Sequence, residues 1–380
     1  CTFCSESADR GELSSWLAYK EVPEDRVASH ISELKEKWGA SVFINCSSLV
    51  TARGCKIISQ AFENKQLNVQ WFAMVRAEKA FDEQTLRRCA AGGASAFNFG
   101  IESFHPVINR RMKKGVNLRR VPALLKTALE MKITVTLYSL VNFPGETVDQ
   151  YQYHLEQLEK NFNNIDILFQ SVFMLVMEAP IYQNAADYDI RFDQERVDRL
   201  LNQTSPVYLL PDDHSGSPAY RQKDDSLDEK LDMYYHFLLR IILKRPLYFD
   251  RCFEIASKLP YWEPEYNMLS KQLPDYEVPP AYSLTDLING QVTLSREVQL
   301  EQLENGVWSV ALPSQSLVMY YTAFTGQLLW NIHQGASFQG AFQYVVDEMD
   351  PSALDVLELY ENIHRKLRFL GALEIKVKSL

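Results

Sequence analysis

The stretch Ile133-Thr-Val-Thr-Leu-Tyr-Ser-Leu-Val-Asn-Phe-Pro-Gly-Glu-Thr-Val-Asp-Gln150 holds a strand, a turn and the start of a helix. Ile133 to Val141 is an apolar run rich in β-branched residues and reads as a strand. Thr147-Val-Asp-Gln150 reads as a capping box, in which the two polar side chains satisfy free backbone N–H groups. It opens a helix to about Lys160. Between strand and helix, Asn142 and Glu146 bracket the turn Phe143-Pro-Gly145.

The same unit recurs upstream. Glu24 to Gly39 has Val27, Ile31 and Leu34 at helical spacing, and the apolar run Ser41 to Asn45 follows. A helix near Lys56 to Asn64 leads to a strand at Val69 to Val75. A helix from Asp82 to Ala91, stopped by Gly92-Gly93, leads to a strand at Ser95 to Ile101. Leu118, Val121, Leu124, Leu125, Ala128 and Leu129 mark the helix face before Ile133, and Ile165 to Val176 is a last apolar strand. Units of about 30 residues are βαβ repeats, so the fold class is α/β with a parallel sheet, a full or partial (β/α) barrel. Chemistry in such a fold sits at the C-terminal strand ends. Asn45, Arg76, Glu102, Asn142 and Glu146 stand there.

From about residue 190 the pattern turns helical, with Leu227 to Leu243 a helix and a proline-punctuated linker around 260–285. Val298–Leu303 and Val307–Leu312 flank Asn305-Gly306, a pair that fits a type I′ hairpin turn. Leu317 to Tyr321 reads as a third strand. Thr325–Gln334, Ser337–Glu348 and Asp355–Leu370 read as helices. Three strands and three helices make a small winged-helix-like α+β domain. The division is therefore a barrel at 1–200, a helical extension and linker at 201–285 and the small domain at 286–380.

Composition narrows the function. The 380 residues are 46% hydrophobic and carry a net charge of −10, against a nucleic-acid surface. No apolar run approaches the roughly 18 residues of a membrane span. A cytoplasmic protein is expected. The six cysteines are Cys1, Cys4, Cys46, Cys55, Cys89 and Cys252, which read as reduced and mostly buried thiols apart from the first pair. The chain opens on Cys1 rather than methionine, so sequence upstream of it is expected.

Cys1-Thr-Phe-Cys4 alone fits half a zinc site, a redox pair or no site at all. Its place before the first helix of a (β/α) barrel is more specific. Together with Trp71-Phe-Ala-Met-Val-Arg76, Phe99-Gly-Ile-Glu-Ser103, Met112-Lys-Lys-Gly115 and Phe143-Pro-Gly-Glu-Thr147, it resembles the radical S-adenosylmethionine enzymes, specifically their cobalamin-binding branch. The resemblance spans residues 1 to about 175. It makes Cys1 and Cys4 the last two of three cluster cysteines, with Phe3 the aromatic before the last and the first cysteine upstream. It implies a 4Fe-4S cluster and S-adenosylmethionine near Phe3, Asn45, Arg76, Glu102, Ser103, Asn142 and Glu146. Cobalamin would come through an upstream domain, and electrons from a donor such as ferredoxin or flavodoxin. It names no further catalytic side chain, and His105 and His154 receive no role. Plain structural alternatives remain: Glu102 capping a loop, Arg76 in an ion pair, Glu146 shaping its turn. The chain departs from the family where Asn45-Cys46 stands for an acidic residue and Asn142 for a glycine.

The stretch Tyr321-Thr-Ala-Phe-Thr-Gly-Gln-Leu-Leu-Trp330, with Gly335-Ala-Ser337 and Phe369-Leu-Gly-Ala-Leu373, resembles the recognition module of ribosomal peptide maturases. That fold is shared with the pyrroloquinoline-quinone peptide chaperone. It implies a precursor leader peptide added at the strand edge, near Leu317, Met319, Tyr321, Ile363 and Lys366. The expected function is radical modification of a ribosomally made peptide, with C-methylation as the reaction. Rivals are a small-metabolite enzyme of the same branch and a non-catalytic peptide scaffold.

Overall fold

The computed structural model describes residues 2–4, 22–176, 179–192, 195, 208–209, 220–221, 226–244, 287–288, 290–303, 306–313, 317–349 and 373–376. The chain divides into two compact units, Cys1–Lys230 and Leu231–Leu380.

In the first unit, α1 (Glu24–Trp38) has Glu24 and Asp25 in its first turn, where carboxylates favour the helix dipole. It stops at Gly39, whose φ of 64° places it in the left-handed region that glycine accepts without strain. Strand β1 (Val42–Val50) runs beyond the apolar run at 41–45 and carries an irregularity between Asn45 and Val50. The unit continues through α2 (Ala52–Asn64), β2 (Gln70–Val75), α3 (Glu83–Ala91), β3 (Ala94–Glu102), the short α4 (Pro106–Arg111), α5 (Val121–Glu130), β4 (Thr134–Val141), α6 (Val148–Asn161) and β5 (Ile167–Val172). Both halves of the Thr147–Gln150 capping box form.

The five strands are parallel and lie in sequential order. An order that never reverses, with crossovers of one hand, puts the connecting helices on one face; a doubly wound sheet would reverse. Burial agrees. Trp71, Ala73, Val75, Phe97, Phe99, Ile101, Val135, Leu137 and Val141 are buried, while Val42, Ile44, Met74 and Phe169 on the alternate face are exposed. This is the arrangement of a partial (β/α) barrel.

The expected strand 165–176 is broken. Strand β5 ends at Val172; Phe173 N–H still donates to the Val141 carbonyl while its ring packs edge-on against Phe143, with centroids 5.3 Å apart, and Leu175–Val176 (β6) is extended again. Then come α7 (Pro180–Gln183), β7 (Arg191–Phe192), β8 (Tyr208–Leu209) and β9 (Tyr220–Arg221), with β6 pairing β8 and β7 pairing β9. Helix α8 (Leu227–Lys244) follows as the sequence predicts. Cys55 and Cys89 are buried free thiols, but Cys46 is exposed. No helix among the described residues is long and apolar enough to cross a membrane.

In the second unit, β10 (Gln291–Leu294) pairs antiparallel with β14 (Leu373–Lys376). Strands β11 (Gln299–Gln302), β12 (Trp308–Leu312) and β13 (Leu317–Tyr321) form an antiparallel sheet in that order. Helices α9 (Ala323–His333) and α10 (Phe338–Glu348) start at the caps Thr322 and Ser337. Leu239, Val310, Leu312, Phe324, Leu328 and Phe342 lie in the core. Gly326 sits mid-helix because a Cβ there would lie 2.0 Å from the Trp308 ring. The hairpin differs from the expected two-residue turn. Leu303 N–H donates to the Val307 carbonyl and Gly306 N–H to the Leu303 carbonyl, so the loop spans three residues with Gly306 left-handed at φ 80°. The expected helix Asp355–Leu370, and with it Ile363 and Lys366, lies outside the described residues.

Candidate functional site

The site is built from two adjacent strand ends and one loop. At the end of β3, Glu102 takes φ +64°, unusual for a residue with a Cβ. Its carboxylate meets Lys114 Nζ at 2.8 Å, and both side chains are nearly buried. Gly100 makes the room: a Cβ there would lie 2.9 Å from Glu102 Oε1 and 3.1 Å from Lys114 Nζ.

The backbone beyond Glu102 is held by a side-chain relay. Phe104 N–H donates to His154 Nδ1 at 3.0 Å. That bond leaves the proton on Nε2, which donates to Ser139 Oγ at 2.6 Å, and the Ser139 hydroxyl donates to the Glu102 carbonyl at 3.4 Å. Burial pushes His154 down to about 3, so the ring stays neutral. Ser103 is buried. Its Oγ accepts from His105 N–H, and its carbonyl accepts from Asn109 Nδ2.

At the end of β4, Asn142 repeats the left-handed backbone at φ +66°. Its N–H donates to Glu146 Oε2 at 2.9 Å, and its Oδ1 accepts from Lys230 Nζ at 2.9 Å. Lys230 also donates to the Glu146 carbonyl. All three side chains are buried. Desolvation raises Glu146 to about 7 despite the opposing pull of Lys230, and Glu146 Oε1 has no hydrogen-bond partner. Gly145 is left-handed at φ +76°, and a Cβ on it would lie 3.0 Å from Arg111 Nη2.

The cysteine loop docks beside these ends. Thr2 N–H donates to the Met112 carbonyl at 3.0 Å, and Ile181 N–H donates to the Thr2 carbonyl at 2.8 Å. Phe3 packs edge-on to Phe143, with centroids 6.2 Å apart, and Lys114 Nζ stands 5.4 Å from the Phe3 ring. Cys4 is a half-buried free thiol. Cys1 lies outside the described residues. A pinned loop with an unpaired thiol and the Arg111 cation beside it fits an anionic iron–sulfur cluster held by thiolates; the Lys114 charge is met by Glu102.

The structure thus brings Phe3, Cys4, Glu102, Ser103, Asn142 and Glu146 together. Arg76 stands half-buried just past β2, the neighbour of β3. Asn45 differs. It pairs beside Ala73, whose side chain is buried toward the helices, and its Oδ1 accepts from Ser47 N–H. It lines a cavity of about 1040 Å³ between α1, β1 and α2, which includes none of the other site residues. Sequence reasoning gave Lys114 only as part of Met112-Lys-Lys-Gly115, assigned His154 no role and did not single out Lys230. A signal for His154 existed, since it shares a buried stripe of α6 with Tyr151, Leu155 and Leu158.

In the second unit, β13 is the terminal strand of its sheet among the described residues. Tyr321 points into the core, with its hydroxyl 3.3 Å from Met319 Sδ, and Met319 packs against that core. The exposed side chains are Val318 and Tyr320, at 51% and 65%. At this edge, Met319 and Tyr321 therefore offer backbone rather than side chains to a partner.

Residues 1–158 match the Radical SAM superfamily. An uncharacterized methyltransferase of Pyrococcus horikoshii is 25% identical over 154 residues, 40% of this chain and 32% of that protein. The chain spans about a third of the length of this curated relative. Among solved structures, the radical S-adenosylmethionine methyltransferase TsrM of Kitasatospora setae, with cobalamin and a 4Fe-4S cluster bound, is 15% identical. It covers 44% of this chain and 36% of its own at a TM-score of 0.38. The cobalamin-dependent S-adenosylmethionine radical enzyme OxsB, with aqua-cobalamin and S-adenosylmethionine bound, is 12% identical. It covers 93% of this chain and 57% of its own at a TM-score of 0.46.

Proposed function

We propose that the radical SAM domain at residues 1–158 belongs to an enzyme that modifies a ribosomally made precursor peptide, with C-methylation as the reaction. The radical SAM family uses a 4Fe-4S cluster and S-adenosylmethionine, which together supply a carbon-centred radical when bound. The observation that carries the reading is the convergence of the Cys4 loop with two strand ends, each bearing a left-handed residue and a buried charge.

In this reading Cys1 and Cys4 hold two irons, and Phe3 fills the gap between the loop and Phe143. Glu102, Ser103, Asn142, Glu146 and Arg76 surround S-adenosylmethionine, and Asn45 does so only if β1 rearranges. Lys114 and His154 hold Glu102 in place, and Lys230 does the same for Asn142. The methyl-transfer reading, with cobalamin from elsewhere in the full-length protein, is supported by the resemblance at Gly100-Ile-Glu-Ser103 and Pro144-Gly-Glu146 and by the name of the curated relative.

The peptide reading is supported by the position of β13 as the terminal strand of its sheet among the described residues. An extended leader pairs with the backbone there and packs on Val318 and Tyr320. To test both, full-length protein is reconstituted anaerobically and given S-adenosylmethionine, a reductant and the genomically adjacent short peptide. 5′-Deoxyadenosine and a peptide heavier by one methyl group are expected. Cleavage of S-adenosylmethionine with no peptide binding by calorimetry would turn the reading to a small metabolite; no cleavage would end it.

A further inference from the structure

We propose that Arg111 is the counter-charge of the iron–sulfur cluster and sets its reduction potential; the inference rests on the functional reading above. The cysteine loop lies on the backbone of Arg111 and Met112. Thr2, the neighbour of Cys1, donates its hydroxyl to the Arg111 carbonyl at 3.4 Å and its N–H to the Met112 carbonyl. Cys4 is two residues further on. The guanidinium end reaches the same corner through rings: it stands 5.4 Å from Tyr188, Tyr188 lies 6.1 Å from Phe143, and Phe143 lies 6.2 Å from Phe3. A full charge acts over several ångströms through a protein interior.

Two nitrogens of the guanidinium, Nε and Nη2, are buried without a hydrogen-bond partner among the described residues. The group stands 5.4 Å from the Tyr188 ring, and the bare backbone of Gly145 lets it pack there, since a Cβ would lie 3.0–3.1 Å from Nη2 and Cζ. Lys114, the other cation beside the loop, is neutralised by Glu102. An arginine cannot escape burial by losing its proton. Arg111 is half-buried, and covering part of a charge without a hydrogen bond is costly unless a counter-charge offsets it.

A 4Fe-4S core held by three thiolates carries a net charge of roughly −1, and one added electron makes it roughly −2. A fixed positive charge favours the second state more than the first. Arg111 therefore raises the potential and eases the one-electron reduction that an external donor performs.

The test compares full-length wild type with Arg111→Gln and Arg111→Lys, reconstituted anaerobically and titrated with a reductant while the reduced cluster is followed by EPR. Arg111→Gln is expected to assemble the same iron content and shift the reduction equilibrium about tenfold, about 59 mV more negative for a one-electron couple. Arg111→Lys is expected to stay near wild type. An unshifted Gln variant, or a Lys variant shifted as far as Gln, overturns the proposal. Thermal unfolding of the cluster-free proteins closes the remaining gap. Arg111→Gln is expected to stay close to wild type there, because it loses the Tyr188 ring contact but no hydrogen bond of Nε or Nη2 among the described residues; marked destabilisation assigns Arg111 a structural role and also overturns the proposal. If the wild type holds no 4Fe-4S cluster, the functional reading fails first and is seen to fail separately.

Discussion

The ends of β3 and β4 use one backbone device in two electrostatic settings. Each places a side-chain-bearing residue in the left-handed region, Glu102 at +64° and Asn142 at +66°. Each buries a lysine and a carboxylate. At β3 the lysine pairs directly with the carboxylate, and a neutral histidine clamps the backbone. At β4 the lysine is spent on Asn142 Oδ1 and a carbonyl, so Glu146 is left holding a backbone N–H with its acidity weakened. The first end therefore carries a fixed ion pair, while the second titrates near neutrality.

The comparison breaks most forcefully at His154. Replacing it with alanine leaves Phe104 N–H and the Ser139 hydroxyl without their partner inside a cavity, and chemical denaturation is expected to show a loss of about 3–5 kcal/mol. In the wild type, His154 has a folded pKa near 3, below its ordinary value of 6.5. Its contribution is thus complete above about 6.5 and is lost as pH falls toward 3.

Glu146 runs the other way. Its folded value near 7 lies above the ordinary 4.5, so the folded state binds the proton more tightly. That contribution is complete below about 4.5 and is lost as pH rises through 7, about 3 kcal/mol in all. Glu146→Gln is expected to flatten stability against pH between 4.5 and 7. An unchanged slope would mean that the two strand ends do not differ as described.

The smallest effect sharpens the β3 end alone. Gly100→Ala forces its Cβ against Glu102 Oε1 and Lys114 Nζ, which must part, at an expected cost of about 1–3 kcal/mol measured by thermal unfolding.

Much of this was legible because it is local. The Thr147–Gln150 box and strand Leu317–Tyr321 depend on neighbours a few residues apart, and they form as read, while the helix read from Asp82 starts at Glu83 with Asp82 as its cap. The polar strand ends were legible as candidates because residue type and strand boundary are both local. Their partners were not. Lys230 reaches Asn142 across 88 positions, and β10 pairs with β14 across a similar span, so no periodicity reports either. The face of Asn45 depends on register with β2 rather than on its own stretch. The hairpin was misjudged because Asn305-Gly306 fits two turn families, and the closing pair Leu303 and Val307 chooses between them.

The central claim is that the loop whose residues 2–4 dock at these two strand ends holds a redox cluster through Cys1 and Cys4. It is tested most directly by iron and sulfide analysis with EPR on anaerobically reconstituted full-length protein and its Cys4→Ala variant. The account predicts about four irons per chain and a reducible 4Fe-4S signal in the wild type, with the signal lost in the variant. Zinc without iron at this loop, or an undiminished cluster in Cys4→Ala, would contradict it.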